Sequence, residues 1–128
     1  MSHHVKGRVL IVEDQEDLRD VLRLALEGAG YSVIEAQNGR EGVEKAIHER
    51  PDLVIMDIQM PVLDGYEATR EIKASTDIGR TPIIALSSFA MKGDEEKAQA
   101  AGCDEYVTKP FSPKHMVALV RNYIGEPG

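Results

Sequence analysis

The chain predicts an α/β domain, with one parallel sheet and helices on both of its faces, on three observations. Three short apolar runs, Val9–Val12, Leu53–Met56 and Ile83–Leu86, are rich in β-branched residues and too short for helices. Helical periodicity fills the intervals between strand candidates, so that strand and helix alternate five times. The 128 residues fit one domain and leave little room for a second.

The elements follow in order. Val9–Val12 is unbroken and apolar, as suits a strand buried on both faces of a parallel sheet. Leu18, Val21, Leu22, Ala25, Leu26 and Ala29 then recur at helical spacing up to Gly30, a stop signal. Ser32–Ala36 mixes polar and apolar residues and reads as an outer strand. A shorter helical stripe of Val43, Ala46 and Ile47 precedes Pro51. Leu53–Met56 is the third strand, and Ala68 and Ile72 mark a helix beginning after Asp64–Gly65. Ile83–Leu86 is the fourth strand. The segment Met91–Ala101 is helical by composition, but its inward residues are mainly Met91, Ala98 and Ala101, and such small anchors imply weak docking. Glu105–Thr108 is a second outer strand. Ser112 and Pro113 form an N-cap and first-turn pair, and Met116, Val120, Tyr123 and Ile124 supply the apolar face of the last helix.

Composition narrows the function. Hydrophobic residues at 42% and charged residues at 29% are those of a globular domain, which excludes a disordered chain. Acids outnumber Lys plus Arg by 22 to 15, and the net charge of −7 argues against binding nucleic acid or an anionic membrane. Cys103 is alone, so no internal disulfide forms, and no Cys/His spacing resembles a zinc site; both suggest a reducing compartment. There is no apolar run of about 18 residues, and the segment MSHHVKGR lacks the apolar core of a signal peptide. The expectation is a soluble cytoplasmic protein. Residues 1–7 read as a disordered terminus or tag remnant, 8–124 as the domain and 125–128 as a short tail.

In open parallel sheets the site lies beyond the carboxyl ends of the strands. Here the first strand is followed by Glu13–Asp14, the third by Asp57, the fourth by Ser87–Ser88 and the fifth by Lys109–Pro110. Taken singly, each has an ordinary explanation. Acids favour a helix N-terminus, an Asp after a strand forms turns, a Ser caps, and a Lys is solvated. Together they describe one chemistry. Three converging carboxylates repel unless a cation shares them, and carboxylates with waters and a phosphate oxygen favour Mg²⁺. The lysine adds positive charge and the serine a hydrogen-bond donor, which suits a transferring phosphoryl group with a carboxylate as acceptor.

With these residues in place, the segments VLIVEDQEDLR, PDLVIMDIQMPVLDGYEA, PIIALSSFA and GCDEYVTKPF, in this order, resemble the receiver domain of two-component response regulators, the CheY-like family. The resemblance spans about Arg8 to Ile124. It implies a doubly wound, five-stranded parallel sheet of order 2-1-3-4-5, the flavodoxin-like (βα)5 arrangement. Asp57 looks like the phosphoacceptor. Glu13 and Asp14 look like the acid pair that organises Mg²⁺, with Asp57 and the backbone carbonyl of Gln59 completing the ligands. Ser87 resembles the switch hydroxyl, where many relatives have Thr; Lys109 resembles the phosphate-contacting lysine and Tyr106 the switch aromatic. The Lys109–Pro110 bond would be cis, which only proline makes inexpensive. Ser88 departs mildly from a position often held by Ala or Gly. Gln59 and Phe89 match positions that tune self-dephosphorylation; Gln59 can orient a water, and the Phe89 ring is expected to shield the phosphoryl group.

By this resemblance the domain accepts a phosphoryl group from a phosphohistidine of a histidine kinase or histidine phosphotransfer protein. It then switches a surface formed by the fourth helix, fifth strand and last helix for a downstream effector. The implied state is a monomer or a phosphorylation-linked dimer. It is a self-catalysing phosphoacceptor rather than a turnover enzyme, standing alone or excised from a hybrid histidine kinase or larger regulator. Other classes fit less well. A nucleotide-binding or oxidoreductase domain needs a Gly-rich turn after the first strand, where EDQEDLR would repel a pyrophosphate. A phosphohydrolase with an Asp nucleophile normally adds a substrate cap, and a purely structural receiver usually lacks one of the site residues. His3 and His4 read as terminal or tag residues, and Met56, Met60 and Cys103 as packing.

Overall fold

The computed structural model describes residues 7–60, 63–88 and 93–127. Five strands and five helices alternate: β1 (Arg8–Val12), α1 (Glu16–Gly28), β2 (Ser32–Ala36), α2 (Gly39–Glu49), β3 (Leu53–Asp57), α3 (Gly65–Ala74), β4 (Ile83–Ser87), α4 (Asp94–Ala101), β5 (Glu105–Thr108) and α5 (Pro113–Ile124). All strand pairs are parallel and the order is β2-β1-β3-β4-β5. The mixed strands β2 and β5 are thus the two edges, and the unbroken apolar strands β1, β3 and β4 are central. No helix among the described residues is long and apolar enough to cross a membrane.

The two-residue period of the strands divides the core into two layers. Val9, Ile11, Leu53, Ile55, Ile84, Leu86 and Val107 pack with Leu22 and Leu26 of α1 and Met116 and Val120 of α5. Leu10, Val12, Val54, Met56 and Ile83 pack on the other face with Val43 and Ala46 of α2 and Ala68 and Ile72 of α3. The helix α4 is the exception, since its buried residues are only Ala98 and Ala101. At ~25 cal/mol per Å² of apolar area, two alanines hold far less than two leucines do in α1.

Local signals explain the helix ends. Asn38 Oδ1 accepts the Glu41 N–H, Asp64 Oδ1 accepts the Glu67 N–H, and Ser112 Oγ accepts the His115 N–H, each an N-cap. Helix α4 begins at Asp94, later than the Met91 start expected from composition. Its N-cap, Gly93, has φ of 95°, a left-handed conformation that a helix cannot continue through; Met91 lies outside the described residues. Three stripe residues also differ from expectation. Val21 is 44% exposed, Ile47 43% and Tyr123 39%. Each lies on the border of its helix's apolar face, where periodicity does not separate core from rim.

At the amino ends of the strands, the Tyr31 hydroxyl donates to the Gly125 carbonyl at 2.6 Å. Arg121 pairs with Glu126. The residues after α5 are therefore tied to the α1–β2 connection.

Candidate functional site

The parallel register levels the strand ends, and this is what assembles the site. Val12 pairs with Met56, so Glu13 and Asp57 come side by side at the end of β1 and β3. Asp57 pairs with Leu86 and Ser87 with Thr108, so Ser87 and Lys109 follow one step further across the sheet. Four residues far apart in sequence meet at one edge because their strands end together.

Glu13 is fully buried and Asp57 only 2% exposed. Lys109 Nζ donates to both, at 3.1 Å from Glu13 Oε1 and 3.2 Å from Asp57 Oδ2. The other oxygens are held by backbone: Glu13 Oε2 accepts the Gln15 N–H at 3.0 Å and Asp57 Oδ1 the Gln59 N–H at 3.0 Å. Asp14 is exposed at the mouth. One carboxylate oxygen from each of Glu13, Asp14 and Asp57 lies within 4.8 Å of the others.

The electrostatics follow from burial. Burial pushes the Glu13 carboxyl above its ordinary range, and neighbouring Asp57 pushes it the same way. Asp14 is also raised, by desolvation first and by Glu13 second. For Lys109 burial alone would lower the pKa, but the charges of Asp57 and Glu13 outweigh it and the net shift is upward. The cluster thus favours cations, and its donors are all hard oxygens of the kind a divalent alkaline-earth ion takes.

Ser87 is fully buried at the end of β4, and the Lys109–Pro110 peptide is cis. Tyr106 is half-buried and packs with Tyr66 and Cys103 against Ile58, Ala85 and Ala98, on the α4 side of the sheet. Phe89 lies outside the described residues. Two contacts had no signal in the sequence. The Arg19 guanidinium donates to the Glu13 carbonyl at 2.9 Å and so braces the acid-bearing loop from α1. The Gln59 carboxamide crosses to β4, a direction that residue type and spacing do not encode. The close approach of α3 to the site was legible only as a glycine. A Cβ on Gly65 would sit 2.4 Å from the Asp57 carbonyl oxygen.

Comparison with known proteins agrees with this arrangement. The family model described as the response regulator receiver domain matches residues 9–121. The polar-differentiation response regulator DivK of Brucella anthropi is 40% identical over 118 residues, covering 92% of this chain and 96% of DivK. Among solved structures, the receiver domain of the sensor histidine kinase PA1611 from Pseudomonas aeruginosa, with a magnesium ion coordinated in its active site cleft, is 38% identical. It superimposes with a TM-score of 0.87 over 94% of this chain and 99% of that one. The Vibrio cholerae chemotaxis protein CheY4 is 30% identical with a TM-score of 0.87, covering 92% of this chain and 98% of CheY4. With the strand order, the levelled strand ends and these matches in agreement, the chain belongs to the response regulator receiver domain family.

Proposed function

We propose that Asp57 accepts a phosphoryl group from a phosphohistidine of a histidine kinase or histidine phosphotransfer protein in the cytoplasm. The observation that carries this is Asp57 itself: a carboxylate at the carboxyl end of the central strand β3, 2% exposed, with Lys109 Nζ at 3.2 Å and two more acids converging on it. An Asp57 oxygen forms the new O–P bond as the N–P bond of the phosphohistidine breaks, and the released imidazole takes its proton from solvent. Lys109 is positioned to follow the charge from the carboxylate to the phosphoryl oxygens, and Ser87 to donate to one of them. Asp14, Asp57 and the Gln59 carbonyl would hold a Mg²⁺ organised by Glu13, which when bound neutralises charge on the phosphoryl oxygens. The chain's own residues bring the acceptor and orient it.

The readout in this proposal is the α4–β5–α5 face, with Tyr106 as its inward-turning aromatic and an effector protein as its partner. What supports it is the weak anchoring of α4 through Ala98 and Ala101 beside Tyr106. Gln59 and Phe89 are assigned to tuning the phosphoryl lifetime. A second reading, a receiver working as part of a hybrid histidine kinase, is favoured by the likeness to the PA1611 receiver. The proposal is tested by incubating the protein with a phosphohistidine-bearing phosphotransfer protein and Mg²⁺. Label should pass to this chain and be lost in Asp57→Asn. No transfer from any phosphohistidine donor or acyl phosphate would reject it.

A further inference from the structure

Gln59 carries side-chain contacts for which the phosphoacceptor reading has no use. Its Nε2 lies 3.1 Å from Ser87 Oγ, and its Oε1 accepts the Ser88 backbone N–H at 2.9 Å. The orientation of the amide is fixed by chemistry. A backbone N–H can only donate, so the oxygen must face Ser88 and the nitrogen falls on the Ser87 hydroxyl. The same residue's N–H is on Asp57 Oδ1 at 3.0 Å. One residue therefore ties the loop after β3 to the end of β4 through its side chain and to the Asp57 carboxylate through its backbone.

We infer that the Gln59 carboxamide is a resting-state clasp. Its oxygen holds the Ser88 N–H and its amide donates to the Ser87 hydroxyl oxygen, fixing both groups at the end of the strand next to that of Asp57, and it releases them when the site is loaded. This rests on Asp57 being the phosphoacceptor. Gln59 is a positioning residue here: it acts through Ser87 and Ser88, and sets how readily the unphosphorylated domain enters the loaded arrangement. Each hydrogen bond of this kind is worth about fivefold in an equilibrium constant. Removing a clasp made only in the resting state should tighten the loaded state by roughly five- to thirtyfold, one bond or both. Ordinary damage to the site has the opposite sign.

The test is a calorimetric titration of the full chain with beryllofluoride, a phosphoryl mimic, at saturating Mg²⁺. Gln59→Met keeps the length and the backbone groups but has no donor or acceptor to reach Ser87 and Ser88. Gln59→Asn, too short to span the gap, is the second variant should the first fail to fold. Tighter binding by about fivefold or more, with faster hydrogen exchange at the Ser88 amide of the resting protein, is the expected result. Binding equal to or weaker than that of the parent, or an unchanged Ser88 exchange rate, overturns the clasp and leaves Asp57 untouched. A parent protein that binds no beryllofluoride overturns the phosphoacceptor reading and the clasp with it.

Discussion

Replacing Lys109 by Met removes the cation that Glu13 and Asp57 share while keeping the length of the side chain. Glu13 Oε1 at 3.1 Å and Asp57 Oδ2 at 3.2 Å would then face each other without it. Breaking a buried pair from one side costs about 3–5 kcal/mol, because the remaining charge stays buried. The Lys109 side chain is 15% exposed and Asp14 opens to solvent beside it, so water reaches the cluster. The lower end, about 3 kcal/mol, is the expected loss in metal-free buffer. With a urea slope of ~2 kcal/mol/M the unfolding midpoint falls by about 1.5 M, and near the thermal midpoint the shift is roughly 12 °C. The sign with pH is also set. A carboxyl whose folded pKa is raised, as Glu13's is by burial and Asp57, contributes stability at low pH that is lost as pH rises through the folded value. Without Lys109 that value climbs further, so the loss in Lys109→Met should be largest at neutral and alkaline pH and shrink on acidification. Saturating Mg²⁺, supplying the missing charge, should recover most of it. Urea unfolding with chelator and with Mg²⁺, at neutral and mildly acid pH, gives all four numbers. A metal-free variant as stable as the parent, or a loss undiminished by Mg²⁺, would refute the reasoning.

Four other outcomes follow from the structure. Asp14→Ala should weaken Mg²⁺ binding without destabilising the metal-free protein, since Asp14 is exposed and its carboxyl is raised by desolvation first and by Glu13 second. The parent should gain about 2.7 kcal/mol at a hundredfold excess of Mg²⁺ over its dissociation constant, read as a thermal shift; no shift up to millimolar Mg²⁺ would count against the site. Beryllofluoride should change amide exchange in Asp94–Ala101 more than in Glu16–Gly28, because α4 is held by alanines and α1 by Leu22 and Leu26. Gly39→Ala should cost about 1–3 kcal/mol or more in chemical denaturation, because a Cβ there would sit 2.0 Å from the Leu63 carbonyl oxygen, and backbone does not yield as a flexible side chain does.

How legible this was in the sequence depended on which physical signal carried each feature. Buried parallel strands announce themselves as apolar runs, and Val9–Val12, Leu53–Met56 and Ile83–Leu86 each fall inside a strand one residue longer. The extra residues at two of the carboxyl ends are Asp57 and Ser87, polar residues whose type reads as loop although the ladder extends to them. The strand order rested on family resemblance, because alternation of strand and helix does not order a sheet. The cap at Ser112 was visible as local chemistry, whereas Asp64 was read only as preceding its helix, and the start of α4 was set by the left-handed Gly93, which composition does not reveal. The site's residue types were legible because the strand ends collect them. Their mutual contacts were not: the two hydrogen bonds of Lys109 and the crossing of Gln59 to Ser87 depend on register and rotamer, which follow only once the sheet is assembled.

Which carboxylate carries the phosphoryl group can be read chemically. The most direct measurement is to phosphorylate the protein with acetyl phosphate and Mg²⁺, reduce the acyl phosphate with borohydride to homoserine, and map the converted position by peptide mass spectrometry. Conversion is expected at Asp57 alone, dependent on Mg²⁺ and absent in Asp57→Asn. Conversion at Glu13, Asp14 or any other carboxylate of the parent, or an undiminished acyl phosphate in Asp57→Asn, would contradict Asp57 as the acceptor.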